Sequence, residues 1–321
     1  MIIIEFKQGQ GLGNQLWCFA SAKSISKKNK TKLAVRNLEK FKANNFLNLD
    51  FDIEYNNENF EYFNEKLYYD IDLKYISSDF DKRVENLSPS KNFLLNGLFQ
   101  SEKYFFNNFK LLKKWIVPKF KIKINLKLNS CIINLRGGEY KRHKKFILPF
   151  SYWQNAIDYM KHKFNINDFI VVTDDYNYAK ALFPNYKIIS NDIELCFNYI
   201  YSCSNIIVSN SSFSYFPINL SPIKKIVIAP KNWARFSSKE NRWSSPANFY
   251  KSWLYMDQFG KVYKYNQLLS AVKKTVEFYE KNKLLYDDKL VNKWTLRSLI
   301  PSFIKKYIKK IGGKLFPKHI G

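Results

Sequence analysis

The chain reads as an α/β protein with two Rossmann-like parallel-sheet halves facing a cleft. Three observations predict this: short runs rich in Ile and Val, helix-length segments between most of them, and a strand–turn–helix–strand unit at the start. Apolar runs without alternation are strands covered on both faces, as in parallel sheets. Ligands of such sheets bind beyond the carboxyl ends of the strands. A length of 321 residues exceeds one typical domain. We therefore expect one α/β domain over residues 1–125, a second over 126–260 and a helical basic tail over 261–321.

Taken in order, "MIIIEF" (1–6) is a strand, a Gly-rich turn follows, and a helix is expected from about Asn14 to Lys28. "TKLAV" (31–35) is the second strand. Residues 37–90 are aromatic, acidic and poorly periodic, and predict no definite element. "NFLLNGLF" (92–99) is again a strand. The second half alternates more cleanly, with strands at "CIINLR" (131–136), "DFIVVTDD" (168–175), "YKIIS" (186–190), "NIIVSN" (205–210) and "KKIVIAP" (224–230). "SYWQNAIDYMKHK" (151–163) is helical, with Ser151 as the expected N-cap. The uncharged run from Leu195 to Ile223 is long enough to span a membrane, but its Ser, Asn, Pro217 and Pro222 argue against a span. "MIIIEF" lacks the basic flank of a secretory signal.

The net charge of +26 calls for an acidic partner: nucleic acid, anionic lipid or a phosphorylated substrate. A composition dominated by Lys, Asn, Ile, Phe and Tyr also fits an AT-rich genome, but that does not explain local clusters. Four cysteines without a C-x-x-C pair and three histidines suggest neither a disulfide framework nor a zinc site, and fit a reduced cytosolic setting. From Arg297 to Phe316, Ile300, Phe303, Ile304, Tyr307, Ile308 and Ile311 share one helical face, flanked by Lys305, Lys306, Lys309 and Lys310. A basic amphipathic helix of this kind, here within residues 297–321, lies in an anionic membrane surface, each Lys contributing about 1 kcal/mol. The alternative is a helix docked on the protein's own core.

Four stretches carry chemistry. In "GQGLGNQLWCFASA" (9–22) the glycines let backbone approach a ligand, and the following helix offers free N–H groups to an anion. In "INLRGGEY" (133–140), Arg136 ends a strand and can grip a phosphate through its planar fork, with Gly137 and Gly138 leaving space beside it. In "VVTDD" (171–175), Asp174 can accept from a guanine edge or ribose hydroxyls, while Asp175 is placed to cap the next helix. "SNSSFSYF" (209–216) supplies hydroxyls and an amide where a strand meets a helix.

In this order the stretches resemble the bacterial and animal α-1,2-fucosyltransferases, a family 11-like group of glycosyltransferases. That family reads "GGLGNQ", then "HxRRGDY", then "SDD", then "NSSFSWW". The matching stretches here are "GQGLGNQ", "INLRGGEY", "TDD" and "NSSFSYF", and "NGLFQSEKYF" (96–105) and "KKIVIAPKNW" (224–233) also look like family segments. The resemblance covers roughly residues 1–235. It implies a GT-B-like fold, with the acceptor on the 1–125 side and the nucleotide-sugar in 126–260. It also implies an inverting, metal-independent transfer of fucose from GDP-fucose, a co-substrate, to a sugar hydroxyl. Arg136 takes the place of the motif's first Arg, expected on the diphosphate. Asp174 matches the nucleotide-holding acid, Asn210, Ser211 and Ser212 match the phosphate-side loop, and Gly11, Gly13, Asn14 and Gln15 match the loop lining the cleft. The motif's His is here Asn134, its second Arg is Gly137 and its Asp is Glu139. One cation beside the diphosphate is thus missing, with Lys141, Arg142, Lys144 and Lys145 nearby in the loop.

The reaction needs a base on the acceptor hydroxyl and positive groups on the departing diphosphate. Glu139 and Glu102 are the candidate bases, and Arg136 is the expected electrophilic partner. A lipid-linked glycan acceptor and a peripheral position on the cytoplasmic face of the membrane are the expected setting. Four other readings stay open: another GDP-sugar as donor, a catalytically inactive homologue, a metal-dependent transferase using a D-x-D at 50–52, 70–72 or 79–81, and a nucleic-acid-binding protein. No recognisable reader motif supports the last, and no nucleic-acid partner is expected.

Overall fold

The computed structural model describes residues 1–282 apart from 71–74, 143, 191, 234–235, 238–241 and 244. The basic helix expected within 297–321 lies outside the described residues.

The first half is a five-stranded sheet, all of its pairings parallel. Its strands are β1 (Ile2–Glu5), β2 (Leu33–Arg36), β3 (Ile53–Glu54), β4 (Glu61–Asn64) and β5 (Phe93–Asn96). Their spatial order is β3-β2-β1-β5-β4. The Ile run of β1 is buried along its length, as a central parallel strand requires. Helix α1 (Leu12–Lys28) crosses from β1 to β2 and begins two residues earlier than the sequence suggests, with Gly11 at its N-cap.

The second half is a seven-stranded sheet. It holds β6 (Ser130–Leu135), β7 (Asp168–Thr173), β8 (Lys187–Ser190), β9 (Asn205–Val208), β10 (Ile226–Pro230), β11 (Leu254–Met256) and β12 (Val262–Lys264). The order β8-β7-β6-β9-β10-β11-β12 is parallel except for the last pair. Its helices are α2 (Phe150–Phe164), α3 (Tyr176–Leu182), α4 (Ile193–Ser202), α5 (Tyr215–Leu220) and α6 (Tyr265–Lys281). The 195–223 run is folded into α4, β9 and α5, and no helix among the described residues is long and apolar enough to cross a membrane. Ser151 is not the N-cap of α2. Pro149 takes that position with extended backbone, and its carbonyl accepts from Tyr152 N at 3.0 Å.

The stretch 37–90 does contain elements. Besides β3 and β4 it holds Leu47–Leu49, paired with Ile116–Pro118, and an antiparallel hairpin of Leu67–Asp70 with Tyr75–Ser78. The hairpin docks under α6. The buried pair Asp70–Arg242, at 3.1 Å, also receives the Tyr279 hydroxyl at 3.1 Å. Burial of such a pair requires this mutual satisfaction. The cysteines are free thiols, three of them buried.

The two halves share one apolar cluster. Trp17 of α1 lies 4.3 Å from the Tyr215 ring of α5 and 5.4 Å from Phe105, and both Trp17 and Tyr215 are fully buried. Aromatic packing thus joins the sheets on one side and brings the carboxyl edge of the second beside the N-terminus of α1.

Candidate active site

In the second sheet the chain first moves outward from β6 through β7 to β8, then returns to add β9 on the other side of β6. The gap between the carboxyl ends of β6 and β9 is therefore the topological switch point, where such sheets bind nucleotides. Asn134 and Arg136 lie at the end of β6, and Ser209 and Asn210 follow β9. In each of these four side chains a polar atom is buried without a hydrogen-bond partner: Asn134 Oδ1, Arg136 Nε, Ser209 Oγ and Asn210 Oδ1. Asn134 is 6%, Ser209 2% and Asn210 5% exposed. A buried polar group without a partner costs about 1–3 kcal/mol, and four such groups stand together in the chain segments that end β6 and β9.

The remaining bonds hold these groups in place. Asn134 Nδ2 donates to Val172 O, and Asn210 Nδ2 donates to Phe146 O at 3.2 Å. Arg136 pairs with Asp174 (Nη1–Oδ2 3.1 Å), while the other carboxylate oxygen accepts from Gly137 N at 2.9 Å. Asp174 thus fixes both the arginine and the turn that carries it. The Arg136 guanidinium also lies 5.7 Å from the Tyr140 ring centre, and the Tyr140 hydroxyl donates to Asn210 O at 3.0 Å, tying the β6 turn to the β9 turn. Asp175 accepts from Tyr178 N at 3.1 Å and caps α3. Burial pushes its carboxyl up, but Lys141 and the Tyr178 amide outweigh that and hold it below the usual carboxylate range.

The glycines after Arg136 are filled in by their neighbours. A Cβ at Gly137 would lie 2.7 Å from Asp175 Cβ and 2.8 Å from the Tyr178 ring, and one at Gly138 would meet Asp174 Oδ2 at 2.2 Å. A side chain at position 137 would thus have to displace the start of α3.

The N-terminal loop meets the site edge-on. A Cβ at Gly13 would lie 2.5 Å from the Ser212 carbonyl carbon, so only glycine allows α1 to approach this closely. One residue on, Asn14 Oδ1 accepts from Ser212 Oγ at 2.7 Å and from Gln100 Nε2 at 2.8 Å. Gly11 has open space around it, and Ser211 accepts from Phe213 N at 3.4 Å as a local cap. Gln15 does not line the cleft. It is fully buried, its amide donating to Lys40 O (2.8 Å) and its carbonyl accepting from Lys42 N (3.0 Å). Position 15 lies one residue past Asn14 on a helix, about 100° around the axis, and therefore faces the 37–42 loop.

That bracing presents a residue the sequence reading missed. Burial, then the nearby Arg136 guanidinium, lowers the Lys42 ammonium pKa, and Glu139 partly offsets this. Lys42 is therefore an exposed first-half cation within electrostatic reach of Arg136. No motif announces it, since it lies in the aperiodic stretch.

Of the two candidate bases, Glu139 is exposed in the turn after Arg136. The Glu102 carboxylate accepts the Tyr215 hydroxyl at 2.6 Å, and burial raises its pKa. The loop carrying Gln100 and Glu102 rests on a second missed residue, the acid Glu65. This buried carboxylate accepts from Leu98 N (2.6 Å), Phe99 N (2.8 Å) and Tyr104 Oη (2.7 Å), and burial lifts its pKa to about 7. It secures Phe99 at a φ of 48°, in the left-handed region unusual for a bulky residue.

The described D-x-D carboxylates are engaged elsewhere: Asp50 with Lys23, Asp52 with Leu33 N, Asp70 with Arg242, Asp79 with Lys103 and Asp81 with Arg83. A hollow of about 250 Å³ lined by Phe150, Gln154, Asp158 and Lys161 shares no residue with the site.

The Glycosyl transferase family 11 model matches residues 18–257. The O-antigen biosynthesis glycosyltransferase WbnK of Escherichia coli is 29% identical over 124 residues, which are 35% of this chain and 41% of that relative. The match thus spans about two-fifths of the curated relative's length. Among solved structures, the fucosyltransferase NodZ from Bradyrhizobium is similar at 11% identity and a TM-score of 0.43, over 68% of this chain and 93% of that one. A mutant of Arabidopsis thaliana FUT1 in complex with GDP is similar at 12% identity and a TM-score of 0.43, over 73% and 72%.

Proposed function

The chain belongs to glycosyl transferase family 11, and from that premise we propose that it moves fucose from GDP-fucose to a hydroxyl of a glycan acceptor, inverting the anomeric carbon without a metal. The observation that carries the proposal is the set of unpartnered polar atoms at the β6/β9 switch point.

In the proposed reaction the acceptor oxygen attacks the anomeric carbon as the bond from that carbon to the diphosphate oxygen breaks. The acceptor proton passes to a carboxylate, Glu139 or Glu102, and the electron pair leaves with GDP. Arg136 stabilises the charge growing on the diphosphate, and a low-dielectric setting makes such a preorganised donor effective. Asp174 positions Arg136, and Asn210, Ser211, Ser212 and Lys42 complete the anion-facing wall. The oxocarbenium-like sugar is held between this wall and the Asn14–Gln100 edge.

The acceptor lies against the first half, on the polar carboxyl edge of β1, β4 and β5. WbnK is named for O-antigen biosynthesis, which supports a surface polysaccharide as the product. A lipid-linked acceptor on the cytoplasmic face of the membrane, approached with help from the basic segment 297–321, completes the reading. A second reading, a different GDP-sugar as donor, is favoured by Gly137, whose neighbours fill the space of the family's second arginine.

Calorimetric titration with GDP, GDP-fucose, GDP-mannose and UDP-glucose, with and without EDTA, tests both readings. EDTA-insensitive GDP binding that Arg136→Ala removes is the expected outcome, and the preferred sugar nucleotide names the donor. No binding of any guanine nucleotide would sink both readings and leave an inactive homologue.

A further inference from the structure

The connection between the halves has a composition found nowhere in the site. From Lys103 to Gly138 the chain carries eight lysines and one arginine and no Asp or Glu. Its core, residues 117–129, leaves the short strand Ile116–Pro118 and runs irregularly along the flank of α4 towards the amino edge of the second sheet. Lys121 N donates to Glu194 Oε1 at 3.2 Å, Asn198 Nδ2 to Ile122 O at 2.7 Å, and Asn205 Nδ2 to Leu128 O at 3.2 Å. Phe120 packs on Tyr201 at 5.1 Å, and Ile124 and Leu126 pack against the core.

The outward side chains are Lys119, Lys121, Lys123 and Lys127, all exposed, and none forms an ion pair among the described residues. Beside them stand three aliphatic side chains that folding leaves uncovered: Val117 is 43%, Ile122 59% and Leu128 92% exposed. Several like charges on one strip repel one another, so the strip is relaxed by an anionic partner. The choice of cation narrows the partner. A nucleic-acid groove stacks bases on aromatic rings or arginine planes, yet this strip offers lysine ammonium groups and aliphatic tips. Ammonium groups beside exposed Ile and Leu suit a surface with anionic headgroups over hydrocarbon.

We propose that residues 117–128 form a lipid-facing strip that docks on an anionic membrane surface, with Ile122 and Leu128 entering the headgroup boundary. The strip is separate from the basic segment 297–321 and does not depend on the identity of the sugar donor. It holds the connection between the two halves against the bilayer, with Leu128 at the amino edge of the second sheet and the switch point at the carboxyl edge.

The test uses the full chain and co-sedimentation with vesicles of phosphatidylglycerol and phosphatidylcholine, against vesicles of phosphatidylcholine alone. Binding should need phosphatidylglycerol and weaken with salt. The combined variant Lys119→Gln, Lys121→Gln, Lys123→Gln, Lys127→Gln should bind at least about tenfold more weakly, with an unchanged thermal transition and unchanged GDP titration. Ile122→Ser with Leu128→Ser should weaken vesicle binding several-fold while leaving retention on heparin, a soluble polyanion, unaltered. Wild-type vesicle affinity in the lysine variant overturns the proposal, whatever the distal segment contributes. An aliphatic variant that binds vesicles like wild type also overturns it, and a preference for oligonucleotide over vesicles assigns the strip to nucleic acid instead. Loss of GDP binding in the wild-type protein would count against the transferase reading alone.

Discussion

The two sheets each have a switch point, and they are finished differently. In the second half, between β6 and β9, Asn134, Arg136, Ser209 and Asn210 each keep a buried polar atom without a partner. In the first half, between β1 and β5, the polar groups have found one another: Lys7 Nζ donates to Asn96 Oδ1 at 3.3 Å, and Asn96 Nδ2 donates to Asn64 Oδ1 at 2.8 Å. The second site thus keeps hydrogen-bonding capacity that the chain itself leaves unused, whereas at the first the polar groups are already bonded to one another. On the proposed function, the nucleotide donor belongs to the former and the glycan acceptor to the latter.

The strongest way to break this contrast is Arg136→Ala. It should weaken GDP binding by about a hundredfold or more, on the order of 3 kcal/mol, because a charge-assisted pair is lost from a partly buried place. Arg136→Lys should recover only part, lacking the planar fork. Calorimetry that found GDP affinity unchanged would erase the distinction between the two sites.

Next in size is the pH dependence of the first half, which rests on Glu65. Its folded pKa is about 7, above the usual carboxylate value, so the folded state holds a proton that the unfolded state has lost. The contribution is therefore fully present below about pH 4.5 and is lost as pH rises through about 7, by roughly 3 kcal/mol. Urea unfolding should show stability falling across that window, and Glu65→Gln should flatten the profile.

Gly13→Ala probes the junction. The added Cβ presses on Ser212 backbone, which should cost about 1–3 kcal/mol in stability and lower turnover with it. A smaller effect is expected for Lys42→Ala: GDP binding weaker by roughly five- to tenfold, about 1 kcal/mol, with unfolding unchanged. Smallest is Lys7→Met, which should raise the acceptor KM several-fold while GDP titrations stay as in wild type, about 1 kcal/mol for one polar contact. If Lys7→Met altered GDP affinity instead, the assignment of the two sites would need to be exchanged.

The legible parts of the sequence were those where a local pattern carries the signal. Five strands of the second half, β6 to β10, stand where their Ile and Val runs put them, because a doubly covered strand must be apolar along its length, whereas the short β11 and β12 carry no such run. Arg136, Asp174, Asn14 and Ser212 do meet, through the Arg136–Asp174 pair, the Tyr140 link to Asn210 and the Ser212–Asn14 bond. What stayed hidden depends on distant partners. Asp70 in an acidic stretch gives no sign of facing Arg242, 172 positions away. Glu65 reads as a surface acid until the amides of Leu98 and Phe99 close on it. Gln15 follows Asn14 directly, yet one step along a helix turns it to the opposite task. Ile53–Glu54 is a strand by backbone pairing alone, with both side chains exposed and so no pattern to read.

The contact at Gly13 bears on how such chains diversify. With Trp17 packed against Tyr215 just beyond it, the first turns of α1 and the 211–216 turn form a matched pair, each shaped to the other's backbone. A chimera that joins the first half of one relative to the second half of another inherits two half-junctions that never adapted to each other. Exchanges that move residues 9–22 and 209–216 together should give folded transferases, and exchanges that separate them should not.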